Sequence, residues 1–240
     1  MIIQSCCLCP RHCGAFRGPA SGNGYCKMGA DAVVSRAALH FWEEPPISGT
    51  QGSGTVFFTG CSLCCAYCQN YEISTERKFG RRVSPEELSG IFRSLVEKGA
   101  HNINLVTPTH FVPAVLRALS VWKPDVPVVY NCGGYESLET LRALKGHVDI
   151  YLPDFKYADD KLAETLSGAP DYFETAKAAV LEMVGQTGPA VYGPDGLMKR
   201  GTLVRACPEF HLRSGMAGGE SPAGRAGQPD GPVCAVRKGC

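Results

Sequence analysis

No run of about 18 apolar residues occurs in the chain, so nothing in it reads as a membrane-spanning helix. An excess of charge of either sign is missing too: 24 Lys and Arg stand against 23 Asp and Glu, for a net charge of +1. So even a balance gives no broad electrostatic pull toward nucleic acid or an anionic membrane. Met1 to Cys7 lacks the charged-then-apolar order of a secretory leader, and the expected compartment is the cytoplasm. Large apolar residues nearly vanish from Ser214 to Cys240, where only Met216, Val233 and Val236 interrupt repeated Gly, Pro and Ala. Such a segment cannot offset its ordering entropy by burial, so disorder is expected there. Elsewhere the composition, 44% hydrophobic and 20% charged, is that of a folded protein. The 240 residues suffice for one sizeable core and a small appendage.

What the chain has in plenty is cysteine, 13 in all. In a compartment that keeps thiols reduced, this number argues for metal or redox chemistry over a disulfide framework. Cys6, Cys7, Cys9, Cys13 and Cys26 gather near the start, and Cys61, Cys64, Cys65 and Cys68 form a tight knot. Cys132 stands alone, while Cys207, Cys234 and Cys240 fall in the unusual tail. Residues 1–30, rich in Cys and Gly without an apolar period, read as a small metal-stapled module that could not fold unaided.

From Thr55 onward strands and helices alternate. Thr55–Phe58 is a short buried strand running into the cysteine knot. Ser84 to Lys98 is the clearest helix: Ser84 caps it, Pro85 suits the first turn and Glu87 completes a capping box. Leu88, Ile91, Phe92, Leu95 and Val96 share one face, and Gly99 stops the helix. Strands are expected at Ile103–Val106, Val126–Tyr130, Val148–Leu152 and Gly201–Arg205. Between them, helices are expected near Pro113–Trp122, Leu138–Leu144, Asp160–Leu166 and Tyr172–Val184. This order predicts a parallel sheet with right-handed crossovers, and ligand sites at the carboxyl ends of its strands.

The knot contains C-x3-C-x2-C at Cys61, Cys65 and Cys68. Three thiolates on one loop can hold three corners of a cubane [4Fe–4S] cluster, leaving the fourth iron open. A zinc site remains an alternative, with Cys64 as a strained fourth ligand, and so does a dithiol at Cys65 and Cys68. Cys6, Cys9, Cys13 and Cys26, spaced C-x2-C-x3-C-x12-C, suit either structural zinc or a second, fully ligated cluster, with Cys7 a bystander. Gly52-Ser53-Gly54 precedes a strand instead of following one and is no nucleotide fingerprint. His110, near the active edge, reads as a hydrogen-bonded histidine more readily than as a ligand.

Cys61–Cys68, with Tyr67 before the last cysteine, resembles the signature of the radical S-adenosylmethionine (radical SAM) enzymes. The likeness extends through Ser5–Cys13, Phe41–Pro45, Gly54–Phe58, Cys68–Glu72, His101–Thr109, Gly133–Glu136 and Asp149–Lys156 to a subgroup, the homologues of pyruvate formate-lyase activating enzyme. It covers about residues 5–205. The resemblance implies that the open iron chelates SAM and that one electron breaks its C–S bond, giving a 5′-deoxyadenosyl radical that abstracts hydrogen. It also implies an electron donor such as a flavodoxin or ferredoxin, and a partner protein receiving a glycyl radical. Tyr67 would lie against the adenine, while Asn131, Asp154 and Lys156 would hold the aminocarboxylate and ribose. The bland reading of Asp154 and Lys156 is a solvated charged pair. The rival function is a non-catalytic iron–sulfur or zinc protein, an electron carrier or inactive homologue; a radical SAM enzyme acting on a small molecule or RNA is a further one.

Cys64 and Cys132 stand where the subgroup leads one to expect Arg and Thr. Agreement ends near Arg205, and residues from about 206 read as out-of-frame or truncated sequence lacking the sixth strand, which would leave an exposed edge. The expected fold is α/β: a partial parallel (β/α) barrel of about five units over 51–205, incomplete at its C-terminus. A Cys-rich module and lead-in occupy 1–50, and an aberrant tail 206–240.

Overall fold

The computed structural model describes residues 1–206. The expectations for the rest of the tail, and Cys207, Cys234 and Cys240, lie outside the described residues. Two short strands open the chain, β1 (Ile3–Cys6) and β2 (Ala15–Arg17), paired antiparallel. A long strand, β3 (Ala32–His40), leads through the one-turn helix α1 (Pro45–Ser48) into β4 (Ser53–Phe58). After the cysteine loop come α2 (Tyr71–Ser74), β5 (Arg81–Val83), α3 (Pro85–Glu97) and β6 (Ile103–Val106). Then follow α4 (Val112–Val121), β7 (Val128–Cys132), α5 (Leu138–Ala143), β8 (Ile150–Phe155), α6 (Asp160–Ser167) and α7 (Tyr172–Thr187). The described chain closes with β9 (Val191–Tyr192), β10 (Met198–Thr202) and β11 (Arg205–Ala206).

The main sheet has the order β5-β3-β4-β6-β7-β8-β10-β9, with β11 beside β8. β4, β6, β7, β8 and β10 run parallel, as alternating strands and helices dictate. The sheet is not parallel throughout: β3 pairs antiparallel with both β4 and β5. Among the described residues it stays open, with β5 and β9 at its ends, and no barrel closes. Sequence reading missed β3 because it lies in the stretch taken as lead-in to the cysteine loop. Its signal was there in part, since Ala32 and Val34 alternate as buried residues.

Local chemistry places α3 where it was expected. The Ser84 side chain accepts from the Glu87 amide, and the Glu87 carboxylate accepts from the Ser84 amide at 2.7 Å. This reciprocal cap contributes about 1 kcal/mol. Leu88, Phe92 and Leu95 are buried, each contributing roughly 2 kcal/mol, while Gly99 leaves the helix at φ 88°.

The later strands run further than expected. β7 begins at Val128, because Pro127 has no N–H for the ladder, and it runs on through Asn131 and Cys132 because these pair with Leu152 and Pro153 of β8. β8 extends to Phe155 because β11 pairs with its end, with Arg205 opposite Asp154 and Ala206 opposite Phe155. Thus Arg205, expected to end the fifth strand, belongs to a separate short strand, and the fifth strand itself is Met198–Thr202. All five residues of β7 are buried, as a strand covered on both faces requires.

Candidate active site

The cysteine loop leaves β4 at its carboxyl end. Gly60 turns the chain at φ 85°, and a Cβ there would stand 2.5 Å from the Met28 Cγ. The loop is then fixed from several directions. The Gly60 amide donates to the Ile73 carbonyl at 2.9 Å, and the Ala66 amide to the Leu166 carbonyl at 2.8 Å. Arg11 donates to the carbonyls of Ser62 at 2.8 Å and Ser167 at 2.6 Å, and to that of Gly168. Leu63 packs onto Gly133, where a Cβ would come within 2.7 Å of its Cδ1. Gly134, at φ 76°, brings its own backbone against Asp154, so that a Cβ there would lie 2.6 Å from the Asp154 carbonyl oxygen. The Gly-Gly pair after β7 is thus a close-approach device.

Cys61, Cys65 and Cys68 line one cavity of about 750 Å³, and Cys64 is not among its lining residues. Cys64 is held at φ 51°, its thiol donating to the Cys61 carbonyl at 3.5 Å. The Leu63 amide donates to the Cys61 sulfur at 3.3 Å, and the Cys68 sulfur lies 3.2 Å from the Ser74 hydroxyl. Burial, then the neighbouring Cys65, pushes the Cys61 thiol up. Cys65 is pushed up by burial as well, while the charge of Lys156 pulls it back. Ligation of these thiols therefore releases protons. Among the described residues, no three His, Cys, Asp or Glu side chains surround a single point as ligands of one bare ion do. A cubane makes no such demand, because its ligands sit on separate irons. The three cavity-facing thiols fit that donor set.

Tyr67, Asn131, Asp154 and Lys156 line the same cavity. Tyr67 meets the edge of Tyr157, with ring centroids 6.1 Å apart. The other three belong to one charged network. Lys156 Nζ donates to Asp154 Oδ2 at 2.7 Å, and Arg205 Nε to Asp154 Oδ1 at 2.7 Å. Arg205 also donates to Glu43 Oε1 at 2.6 Å and to Asn131 Oδ1 at 2.9 Å. Asn131 and Asn104 donate their amides to Glu43 Oε2, at 2.9 and 3.1 Å. Burial works against the Lys156 ammonium, but Asp154 and then Cys65 outweigh it, so the amine stays charged. Asp154 and Lys156 are therefore not a solvated pair; both are largely buried.

Two members of this network were missed in the sequence. Glu43 sat in the Phe41–Pro45 motif without a role, and Arg205 marked where the resemblance ended. A third missed residue is Glu136, buried and lining the same cavity, accepting from the Thr109 hydroxyl at 2.7 Å and the Tyr130 hydroxyl at 2.9 Å. Burial pushes it up to about 7 despite those bonds. His110 does behave as a hydrogen-bonded histidine: its Nε2 lies 2.8 Å from the Thr59 carbonyl, and burial holds its pKa down to about 3, so it is neutral and donates that bond. Cys6 and Cys26 are buried, Cys9 half-buried, and Cys7 and Cys13 exposed; none of these five lines the cavity.

A mostly parallel α/β sheet whose carboxyl edge carries a thiol-lined cavity and a charged network belongs to the class of α/β proteins with a ligand pocket at the strand ends. The pattern of the radical SAM superfamily matches residues 55–189, more than half of the chain. The chain belongs to the radical SAM superfamily. An uncharacterized protein of Methanocaldococcus jannaschii is 31% identical over 185 residues, which cover 73% of this chain and 52% of that protein. The chain thus spans about half the length of this relative. Members of the superfamily typically use a [4Fe–4S] cluster and SAM. No helix among the described residues is long and apolar enough to cross a membrane.

Proposed function

We propose that Cys61, Cys65 and Cys68 hold a [4Fe–4S] cluster with which the chain reductively cleaves SAM. The observation that supports this reading best is that these thiols, without Cys64, share one cavity with Tyr67, Asn131, Asp154 and Lys156. When bound, the cluster and SAM supply the chemistry: one electron breaks a sulfonium C–S bond to give methionine and a 5′-deoxyadenosyl radical that abstracts hydrogen. The rest is the protein's work. Lys156, charged and held by Asp154, suits the SAM carboxylate, and Asp154 and Asn131 offer oxygens to its amine and ribose. Tyr67 offers a ring face to the adenine. The narrower reading is that a flavodoxin or ferredoxin supplies the electron and a glycine of a partner protein loses the hydrogen. What supports it is the likeness of residues 5–205 to activating enzymes.

The test is anaerobic reconstitution with iron and sulfide, then addition of SAM and a strong reductant, with 5′-deoxyadenosine measured. Product should form in the native chain and disappear in Cys65→Ala, while Cys64→Ala retains it. A colourless zinc protein, or a cluster whose spectrum ignores SAM, would establish the non-catalytic alternative instead.

A further inference from the structure

The densest group of reactive side chains outside the cavity lies at the start of the chain. We propose that Cys6, Cys9, Cys13 and Cys26 form a second metal centre of four thiolates, with Arg17 as its buried counter-cation. Backbone geometry gathers the four. Cys6 ends β1, and Cys9 opens a tight turn in which the His12 amide donates to the Cys9 carbonyl at 3.1 Å, His12 taking φ 41°. Cys13 follows directly. Cys26 sits in a second tight turn, where the Lys27 amide donates to the Gly24 carbonyl at 2.9 Å and Lys27 takes φ 57°. The Cys13 sulfur leans over Gly24, where a Cβ would stand 3.1 Å from it, which brings Cys13 to the turn that carries Cys26.

Arg17 points independently to an anion. It is 0% exposed, and its guanidinium donates to the carbonyls of Met28 at 3.1 Å and Gly29 at 2.5 Å and to the Cys6 sulfur at 3.5 Å. The two carbonyls carry no charge, and the ring of Phe111, 5.8 Å away, offers only its quadrupole. A buried cation needs a counter-charge. Four thiolates around a divalent metal or a cubane carry net negative charge and supply it where Cys6 already touches the guanidinium. As the metal binds, the four thiols release their protons to solvent. The thiols do not yet surround one point, and ligation draws them together, exposed Cys13 having the most freedom to move.

The centre adjoins the cavity. Arg11, two residues beyond Cys9, donates to the Ser62 carbonyl beside Cys61, and the Thr140 hydroxyl holds the Leu8 carbonyl at 2.8 Å. Whether filled by zinc or by a cluster, the centre fastens the segment that clamps the catalytic loop. Thiolate donors select these two metals.

The experiment uses the full chain with Cys61, Cys65 and Cys68 all changed to Ser, so that its outcome is independent of SAM cleavage. After anaerobic reconstitution in separate arms with zinc, or with iron and sulfide, metal and sulfide are counted. About one zinc, or about four irons with matching sulfide, should remain per chain. Adding Cys13→Ser should abolish retention with unchanged circular dichroism, since Cys13 is exposed, whereas Cys7→Ser should leave it intact. Arg17→Met should weaken metal affinity at least about tenfold in chelator competition, with Arg17→Lys partly restoring it. Three outcomes overturn the proposal: no more metal than in a variant lacking both cysteine sets, retention indifferent to Cys13→Ser, or an anaerobic disulfide within the quartet.

Discussion

Replacing Arg205 by Met tests the network that braces the cavity. Its guanidinium serves three acceptors on three segments: Glu43 after β3, Asn131 in β7 and Asp154 in β8. Charged hydrogen bonds are worth roughly 1.5–3 kcal/mol each, but bonds sharing one donor are not additive. Arg205 is 29% exposed on its side chain, so solvent screens part of its attraction, whereas Glu43 at 10% has little water to replace it. The net loss should be about 2–4 kcal/mol, a large fraction of a typical 5–15 kcal/mol. Urea unfolding followed by circular dichroism should show the midpoint falling by about 1 M. Arg205→Lys should recover only part of it, because an ammonium cannot fork to three acceptors. A double-mutant cycle with Glu43→Gln should give a coupling of about 1–3 kcal/mol. A loss below about 0.5 kcal/mol, or strict additivity in the cycle, would refute the assignment of Arg205 to this network.

Three further outcomes follow from the geometry. Burial raises Glu136 from 4.5 to about 7, so the unfolded chain ionises there first; stability should fall by about 3 kcal/mol as pH rises from about 4.5 through 7, and Glu136→Gln should flatten that part of the pH profile of urea midpoints. Gly134→Ala, which drives a Cβ to 2.6 Å from a backbone oxygen, should cost at least about 3 kcal/mol in thermal unfolding, whereas Gly146→Ala, left-handed but with open space around it, should cost only about 1 kcal/mol. Lys156→Met should weaken SAM binding at least about tenfold by equilibrium dialysis, without loss of iron from the reconstituted cluster; unchanged SAM affinity would remove Lys156 from the ligand site.

Sequence alone determined what is written in local patterns. The capping box at Ser84, the apolar face of α3, the alternation of strands and helices, and the thiol spacing on one loop each depend on neighbours within a few residues. Their physics acts at short range, which made them legible, although the strand ends that depend on pairing were not. Tertiary structure decided everything that depends on residues far apart in the chain. That β3 joins the sheet depends on β4 and β5 offering their edges, and that β8 reaches Phe155 depends on β11 pairing with its end. Glu43, Asn131, Asp154 and Arg205 become one network only because strand ends separated by up to 162 positions meet at one edge of the sheet. A carboxylate or guanidinium acquires its role from the opposite charge it meets, and only folding brings the two together.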